Sequence, residues 1–289
     1  VGFDEPSYDE RPYAKKISEQ FATRHHAETL THFLPEDLER LIFEHIGQPF
    51  QDSSLLPTAL VSEVAGKHVK VALSGDGGDE LFSGYQRYMA RNILRWYTRL
   101  PKSARGSFEF LLRQLPDPTQ HHSHSMLEKA HLFCDLAERA DEESLYVAPL
   151  MFSRRMRREL LGEMSLGGHP PPNLPENVEP DEIGRMMMAD ALIYLPQDIM
   201  TKVDRASMAH SLETRAPFLD HHLVELAFSL PRHWHRSAWH GKQMLQAAFS
   251  DLLPPWVWHR RKQGFAVPIH QWFRGPLRSR LQHLLDESV

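Results

Sequence analysis

The first hundred residues alternate between helical and strand-like hydrophobic patterns. Large apolar residues four positions apart predict an amphipathic helix over 11–24. Further helices are predicted after Pro35 and Pro57, and a nearly continuous apolar run at 68–74 predicts a buried strand. Because strands that alternate with helices of this length usually run parallel in one sheet, the pattern predicts an α/β part over residues 1–100.

Beyond residue 100 the hydrophobic pattern becomes largely helical. Helical periodicity is clearest over 183–195 and 199–212, and few strand-like segments remain. The stretch 163–182 carries five prolines and two glycines, a composition that predicts a loop. We therefore expect residues 101–289 to form a mostly helical part that is interrupted by this loop.

Length, charge and cysteine content exclude several classes of protein. The chain has 289 residues, enough for one large domain or two small ones at about 150 residues each. Its formal charge of -5 gives no global basic field, so nucleic acid is not an expected partner. No apolar run reaches the ~18 residues that span a bilayer, so no membrane contact is expected. The single cysteine, Cys134, rules out an internal disulfide and fits a cytoplasmic protein.

The sharpest local feature follows the predicted strand. The segment VALSGDGGDELFSGY at 71–85 joins that strand to a helix, and its glycines allow close approach of the backbone to a ligand. Its carboxylates, Asp76, Asp79 and Glu80, would repel a phosphate unless a divalent cation lay between them. The segment is therefore either a loop for Mg²⁺ and a nucleotide phosphate, or a glycine turn whose acidic residues cap the helix. In both cases it should follow a parallel strand.

A second charged segment occupies residues 195–220. Lys202 and Arg205 are three positions apart, a spacing that places them on one face of a helix. Arg205 and Arg215 could neutralise a polyphosphate, because planar guanidinium groups suit phosphate oxygens. The alternative is a surface helix with ordinary salt bridges.

A third charged segment, WHRRKQGFAVP at 258–268, places Lys262 in a basic cluster beside a glycine. This cluster could close over phosphates or could be a solvated loop. If the three segments share one polyanionic ligand, Arg205, Arg215 and Lys262 should converge on the cleft that holds Asp76.

Three blocks together resemble the synthetase domain of glutamine-hydrolysing asparagine synthetases. They are SGDGGDELFSGYQRY, YLPQDIMTKVDRASMAHSLETRAPFLDHHLVELAFSLP and RRKQGFAVP, and they occur in the order typical of that family. The resemblance implies an adenine-nucleotide hydrolase-like (Rossmann-like) α/β fold with a parallel sheet and a largely helical C-terminal part. It also implies ATP and Mg²⁺ as cofactors, and aspartate with ammonia or glutamine as substrates. The aspartate side chain would be adenylated and then amidated to asparagine.

The resemblance also implies roles for individual residues. The catalytic positions would be Asp76, Arg205 and Lys262. Asp79 would lie near Mg²⁺ and pyrophosphate and would bind the metal. The remaining nucleotide-site positions would be Val1, Ser74, Gly75, Arg215 and Lys242.

The start of the sequence suggests that it belongs to a longer protein. It begins at Val1 with an apolar–glycine–apolar segment typical of the end of a strand. The family's pyrophosphate loop and glutaminase domain would lie upstream, so we expect the isolated chain to lack activity. Two alternatives stay open: a paralogue that amidates another carboxylate, such as a sugar acid or a β-lactam precursor, and a non-catalytic remnant. A homodimer is an assembly that the resemblance allows.

Overall fold

The computed structural model describes most of the chain outside its central stretch. The described residues are 1–3, 9–30, 35–50, 52–114, 130, 133, 162, 181–237, 240–260, 267, 269–275 and 277–286. The predicted loop at 163–182 lies outside them up to residue 180.

The chain is divided between two compact units. Unit 1 comprises Val1–Ser74, Met200–Arg215 and Arg261–Val289, and unit 2 comprises Gly75–Ile199 and Ala216–Arg260. The division into functional parts at residue 100 stays a prediction.

The described elements are mostly helices. The strands are β1 (Gly2–Phe3), β2 (Thr29–Leu30), β3 (Val71–Leu73) and β4 (Glu213–Arg215). The α-helices are α1 (Arg11–Gln20), α2 (Pro35–Arg40), α3 (Leu55–Gly66), α4 (Gly78–Leu81), α5 (Gln86–Tyr97), α6 (Lys102–Arg113), α7 (Glu182–Ala189), α8 (Thr201–Met208), α9 (His221–Ser229), α10 (Arg232–His235), α11 (Gln243–Ala248), α12 (Pro255–His259), α13 (Ile269–Arg274) and α14 (Arg278–Asp286). Two π-helical segments, Leu41–Ile46 and Asp190–Met200, and one 3₁₀ turn, Pro217–Leu219, complete the set.

The strands form two parallel pairs, both in unit 1. β1 pairs with β2, and β3 pairs with β4 in a register that sets Val71 opposite Glu213 and Leu73 opposite Arg215. Parallel pairs separated by helices confirm the α/β class. The strand predicted over 68–74 is shorter than expected, since β3 covers only Val71–Leu73. The prediction that it is buried was wrong, because Leu73 is 75% exposed. β4 pairs with one edge of β3 and covers neither face, and Val71 and Leu73, which lie on the same face, are both exposed.

The helices predicted in unit 1 are present, with shifted ends. α1 has proline in its first turn. It ends at Gln20, four residues before the predicted limit, and Ala22 just beyond it takes a left-handed φ of 49°. α2 begins at Pro35 as expected, and α3 starts two residues before Pro57. α8 packs against α3, and Leu41, Leu55 and Ala206 form the buried centre of this packing.

Unit 2 has two apolar clusters around its helices. Tyr88 of α5 packs with Ile183, Met186 and Met187 of α7, and unbranched methionine side chains fit such irregular gaps. The second cluster joins α4 to α9 through Leu81, Phe82 and Ala227. Asp181 caps α7 by accepting a hydrogen bond from the Gly184 amide at 2.9 Å. None of the helices described in either unit is both long and apolar enough to cross a membrane.

Candidate functional site

The first block follows a parallel strand, as predicted. The Ser74 amide donates to the Arg215 carbonyl oxygen at 2.8 Å, which extends the β3–β4 pairing by one residue. Gly77 takes a left-handed φ of 87°, and α4 begins at the next residue. A side chain at Gly77 would press on Leu219, whose Cγ lies 3.0 Å from the Cβ position. The turn therefore needs glycine for both its backbone angle and its space.

The alternative interpretation, that acidic residues cap the helix, has little support. The N-cap position is Gly77, and the cap carries no side-chain hydrogen bond. Asp79 and Glu80 lie in the first turn of α4, where they point to different partners. With only four residues, α4 also contributes little macrodipole, so the side chains around it dominate its electrostatics.

Asp79 and Lys242 form an ion pair in unit 2. Lys242 Nζ lies 2.7 Å from Asp79 Oδ1, and both side chains are partly exposed, at 38% and 25%. The backbone of Lys242 is left-handed with a φ of 57°, and its amide donates to the Phe82 carbonyl oxygen at 2.8 Å. A non-glycine residue in this conformation is strained, and such strain often occurs at functional sites. The structure thus brings two of the predicted site residues together.

The glycines around this pair allow close packing. Gly84 and Gly241 lie on neighbouring turns, and a Cβ on Gly84 would overlap the Asp79 carboxylate. A Cβ on Gly241 would overlap the Ser83 carbonyl oxygen. Ser83 is itself left-handed with a φ of 56°. The position of the Lys242 ammonium therefore depends on two tightly packed turns, in which Gly84 and Gly241 leave no room for a side chain.

Behind Asp79, the next residue is buried. Glu80 is 2% exposed and accepts a short hydrogen bond from the Tyr85 hydroxyl. Burial raises the pKa of Glu80, although the hydrogen bond from Tyr85 works in the opposite direction. Burial also raises the pKa of Tyr85, so its hydroxyl stays protonated and remains a donor. We call residues 75–84 the carboxylate loop. Its Asp79 carboxylate is partly exposed, whereas its Glu80 carboxylate is buried.

A buried ion pair that sequence analysis missed lies beyond Tyr85. Asp190 is 1% exposed, and Arg87 Nη2 lies 2.8 Å from its Oδ1. The Tyr88 hydroxyl donates to Asp190 Oδ2 at 2.5 Å. Burial raises the pKa of Asp190 although Arg87 favours its charged form. The available signals were a lone acid in an apolar run, MMMADALIYL, and the YQRY segment after the loop.

In unit 1, the two predicted arginines are exposed. Arg215 Nε donates to Glu213 Oε1 at 2.8 Å, and Arg205 Nε lies 3.9 Å from Asp204 Oδ2. The partners are two positions apart in the first pair and adjacent in the second, and both pairs are solvated, so they contribute little to stability. This agrees with the surface interpretation of the second block but leaves a ligand role for Arg205 and Arg215 as a prediction.

Lys202 differs from Arg205 although both belong to α8. Its side chain is 8% exposed, and its ammonium donates to Asp52 Oδ2 at 2.5 Å and to Ser54 Oγ at 2.7 Å. Both residues lie in α8 at the predicted helical spacing, but Lys202 is buried and Arg205 is exposed. Residues three apart on a helix differ by about 60° in direction, which suffices at the edge of a packed face to bury one and expose the other.

Removal of the charge on Asp52 is expected to destabilise unit 1. Asp52→Asn leaves the buried Lys202 ammonium without a counter-charge, so the free energy of unfolding should fall by about 3–5 kcal/mol. Asp37→Asn is the control, because its pair with Arg40 is exposed and contributes under about 1 kcal/mol. Denaturant unfolding measures both. An equal effect of the two variants would contradict the prediction.

The Asp52 pair should also make stability depend on pH. Burial opposes ionisation of Asp52, but attraction and hydrogen bonds from Lys202 and Ser54 lower its pKa overall. The stabilisation is therefore complete above the ordinary carboxyl pKa of about 4 and is lost as pH falls through the lowered value. Unfolding of the wild type and Asp52→Asn at a series of pH values should show the two curves converging below pH ~4.

The remaining predicted site residues are placed as follows. Val1 precedes β1 and Asp76 lies in the turn before α4, both half-buried, whereas Gly75 is exposed. The Ser74 hydroxyl oxygen is buried and has no hydrogen-bond partner in the described part of the chain. Lys262 lies outside the described residues. The convergence of Arg205, Arg215 and Lys262 on Asp76 stays a prediction.

The residues around Asp79 fit a magnesium ion held mainly by phosphate oxygens. Mg²⁺ usually takes one or two protein carboxylates and completes its shell with water and substrate phosphates. Asp79 supplies one partly exposed carboxylate. The described residues contain no group of three or more histidine, cysteine or acidic side chains that could hold a metal by themselves. The chemistry of this donor set therefore suits a metal that arrives with a polyphosphate.

Comparison with known proteins gives the family. The family model described as asparagine synthase matches residues 1–289. The chain is 34% identical over 283 residues to a putative asparagine synthetase [glutamine-hydrolyzing] of Mycobacterium tuberculosis strain H37Rv, covering 95% of this chain and 41% of that protein. It is 27% identical over 303 residues to asparagine synthetase [glutamine-hydrolyzing] 1 of Bacillus subtilis, covering 100% and 45%. The chain belongs to the asparagine synthase family.

These relatives are longer than the chain, and some related proteins carry other names. The chain spans less than half the length of the two synthetases. It is also 22% identical over 260 residues to amidase chry2 of Gibberella zeae, covering 80% of this chain and 37% of that protein. The resemblance inferred from the three sequence blocks is thereby confirmed at the level of the family.

Proposed function

We propose that this chain is the synthetase part of an ATP-dependent amidoligase. The Asp79–Lys242 pair beside a glycine turn carries the proposal, because a carboxylate for Mg²⁺ and an ammonium for phosphate lie in contact there. The turn follows a parallel strand, the position at which α/β nucleotide-binding folds hold phosphates. Family membership supports the same assignment and the adenine-nucleotide hydrolase-like form of the fold.

The reaction would proceed in two steps. A carboxylate oxygen of the acceptor attacks the α-phosphorus of ATP, the bond to the bridging oxygen breaks, and pyrophosphate leaves. Ammonia then attacks the carbonyl carbon of the acyl-adenylate, loses a proton and expels AMP, which leaves an amide. Adenylation is needed because a free carboxylate is a poor acyl donor, whereas AMP is a good leaving group. The negative charge of both steps must be neutralised by the site.

Residues of the loop would share this task. Asp79 would hold Mg²⁺, and the bound ion would supply positive charge opposite the leaving pyrophosphate. Lys242 would exchange its contact with Asp79 for a phosphate oxygen. The buried Ser74 hydroxyl and the backbone at Gly75 would contact the nucleotide. Asp76, Arg205, Arg215 and Lys262 retain the roles that the family resemblance implies.

Aspartate is the proposed acceptor, with ammonia from glutamine as the nitrogen source. The names of the synthetases from Mycobacterium and Bacillus support it. The amidase name of the Gibberella relative keeps a different acceptor carboxylate as the second candidate. A cytoplasmic location and a homodimer remain proposals that rest on the family resemblance.

An exchange assay tests the proposal. The native full-length protein should incorporate labelled pyrophosphate into ATP when Mg²⁺ and aspartate are present, because adenylation is reversible. Omission of aspartate is the control for acceptor dependence. Exchange that depends on another carboxylate would support the second candidate, and no exchange with any carboxylate would contradict an amidoligase.

A further inference from the structure

The carboxylate of Asp190 contacts Arg87 and Tyr88 inside unit 2. Its Oδ1 lies 2.8 Å from Arg87 Nη2 in an ion pair, while its Oδ2 accepts hydrogen bonds from Arg87 Nε at 3.2 Å and from the Tyr88 hydroxyl at 2.5 Å. Two nitrogens of Arg87 thus lie against one carboxylate, which restricts the orientation of the guanidinium plane. Asp190 begins the π-helical segment Asp190–Met200, which leads into the second sequence block.

The guanidinium of Arg87 also contacts aromatic rings. Its Cζ lies 4.0 Å from the centre of the Tyr85 ring and 5.0 Å from that of Tyr194. Tyr194 belongs to the same π-helical segment as Asp190. Because a planar guanidinium stacks on aromatic faces, the orientation of Arg87 sets that of Tyr85.

Tyr85 carries this arrangement to the carboxylate loop. Its hydroxyl donates to Glu80, which follows Asp79 in α4. α4 has only one turn and begins at a glycine, so it cannot hold its own direction without outside contacts. A continuous set of contacts therefore runs from Asp190 through Arg87 and Tyr85 to Glu80, the residue beside Asp79.

We infer that Arg87 and Asp190 are positioning residues that hold the carboxylate loop 75–84 in place from the π-helical segment Asp190–Met200. Neither touches the proposed ligand site, and their role in adenylation rests on the proposed function. Buried ion pairs are weak contributors to net stability, so an orienting role explains this one better than stability alone. The linkage itself can be tested without activity.

Hydrogen exchange of the loop amides is the direct test. Asp190→Asn keeps the shape of the side chain but removes the charge opposite Arg87. We expect the amides of 75–84 to exchange about tenfold faster or more in this variant of the full-length protein. Asp52→Asn is the matched control, because it breaks a buried ion pair in unit 1 and therefore shows how far general destabilisation alone accelerates loop exchange. Equal acceleration in both variants, or none in Asp190→Asn, would overturn the inference.

Two milder variants keep the test decisive if Asp190→Asn does not fold. Tyr85→Phe retains the ring over Arg87 and removes only the hydroxyl that reaches Glu80. Arg87→Lys retains the charge and removes the planar fork. Both should accelerate exchange in 75–84, and both should lower kcat for pyrophosphate exchange more than they change KM for the acceptor. If the wild-type protein shows no pyrophosphate exchange, only the proposed function is contradicted. Hydrogen exchange of the amides in 75–84 still tests whether Arg87 and Asp190 position the loop.

Discussion

Asp79→Asn is expected to lower the rate of pyrophosphate exchange by about 10²–10³-fold, a loss comparable to that of a preorganised charged group at a reacting phosphate. The amide keeps the size of the side chain but binds Mg²⁺ poorly. It also removes the negative charge opposite Lys242. The fall should appear in kcat/KM for ATP, since the missing interaction involves the polyphosphate.

Stability separates this expectation from simple damage to the fold. The Asp79–Lys242 pair is partly exposed, so its loss should cost at most about 1 kcal/mol of unfolding free energy. Asp251→Asn is the matched control in the same unit, because Asp251 is exposed and accepts a hydrogen bond from the hydroxyl of its neighbour Ser250. Its exchange rate and stability should both match the wild type. A fully active Asp79→Asn protein would remove Asp79 from the site.

The local features of the candidate site could be predicted from the sequence. A glycine turn after an apolar run is typical of a strand that ends and a helix that begins, so the order strand, turn and helix at 71–81 could be predicted. The helix starts at Pro35 and near Pro57 follow from the same local rules. Each of these features depends on residues within one or two turns of each other.

Pairings across long sequence distances could not be predicted. Arg87 and Asp190 lie 103 positions apart, and Lys202 and Asp52 lie 150 apart. Hydrophobic periodicity indicates which face of an element is buried but not which buried charge lies opposite another. Charged residues were therefore assigned to surface or ligand, and their use as internal partners was missed.

The exposure of β3 shows a related limit. An apolar run predicts that a strand can be buried, but burial depends on what packs on both faces. Leu73 has β4 beside it and is still 75% exposed, because side chains alternate above and below the plane of a strand pair. The run VALS thus predicted the strand correctly, but the prediction that other elements pack on the strand was wrong.

Gly241→Ala is expected to disturb the site through the backbone. The new Cβ would overlap the carbonyl oxygen of Ser83, and a backbone atom cannot rotate away as a side chain can. The 82–84 turn or the start of α11 must therefore move, at a cost of about 1–3 kcal/mol in unfolding free energy. Since the Lys242 amide donates to Phe82 in the same turn, the Lys242 ammonium should move away from Asp79.

The nucleotide site should respond more than the fold does. We expect the KM for ATP to rise by about tenfold in Gly241→Ala, a change equivalent to about 1.4 kcal/mol, because one charged contact to the nucleotide would be misplaced. Gly106→Ala is the matched control: Gly106 lies within α6, has no atom within 4 Å of its Cβ position, and should gain about 0.5–1 kcal/mol of stability with unchanged kinetics. Thermal unfolding and pyrophosphate exchange measure both variants. An unchanged KM for ATP in a destabilised Gly241→Ala protein would show that the two packed turns support the fold without placing Lys242 for the nucleotide.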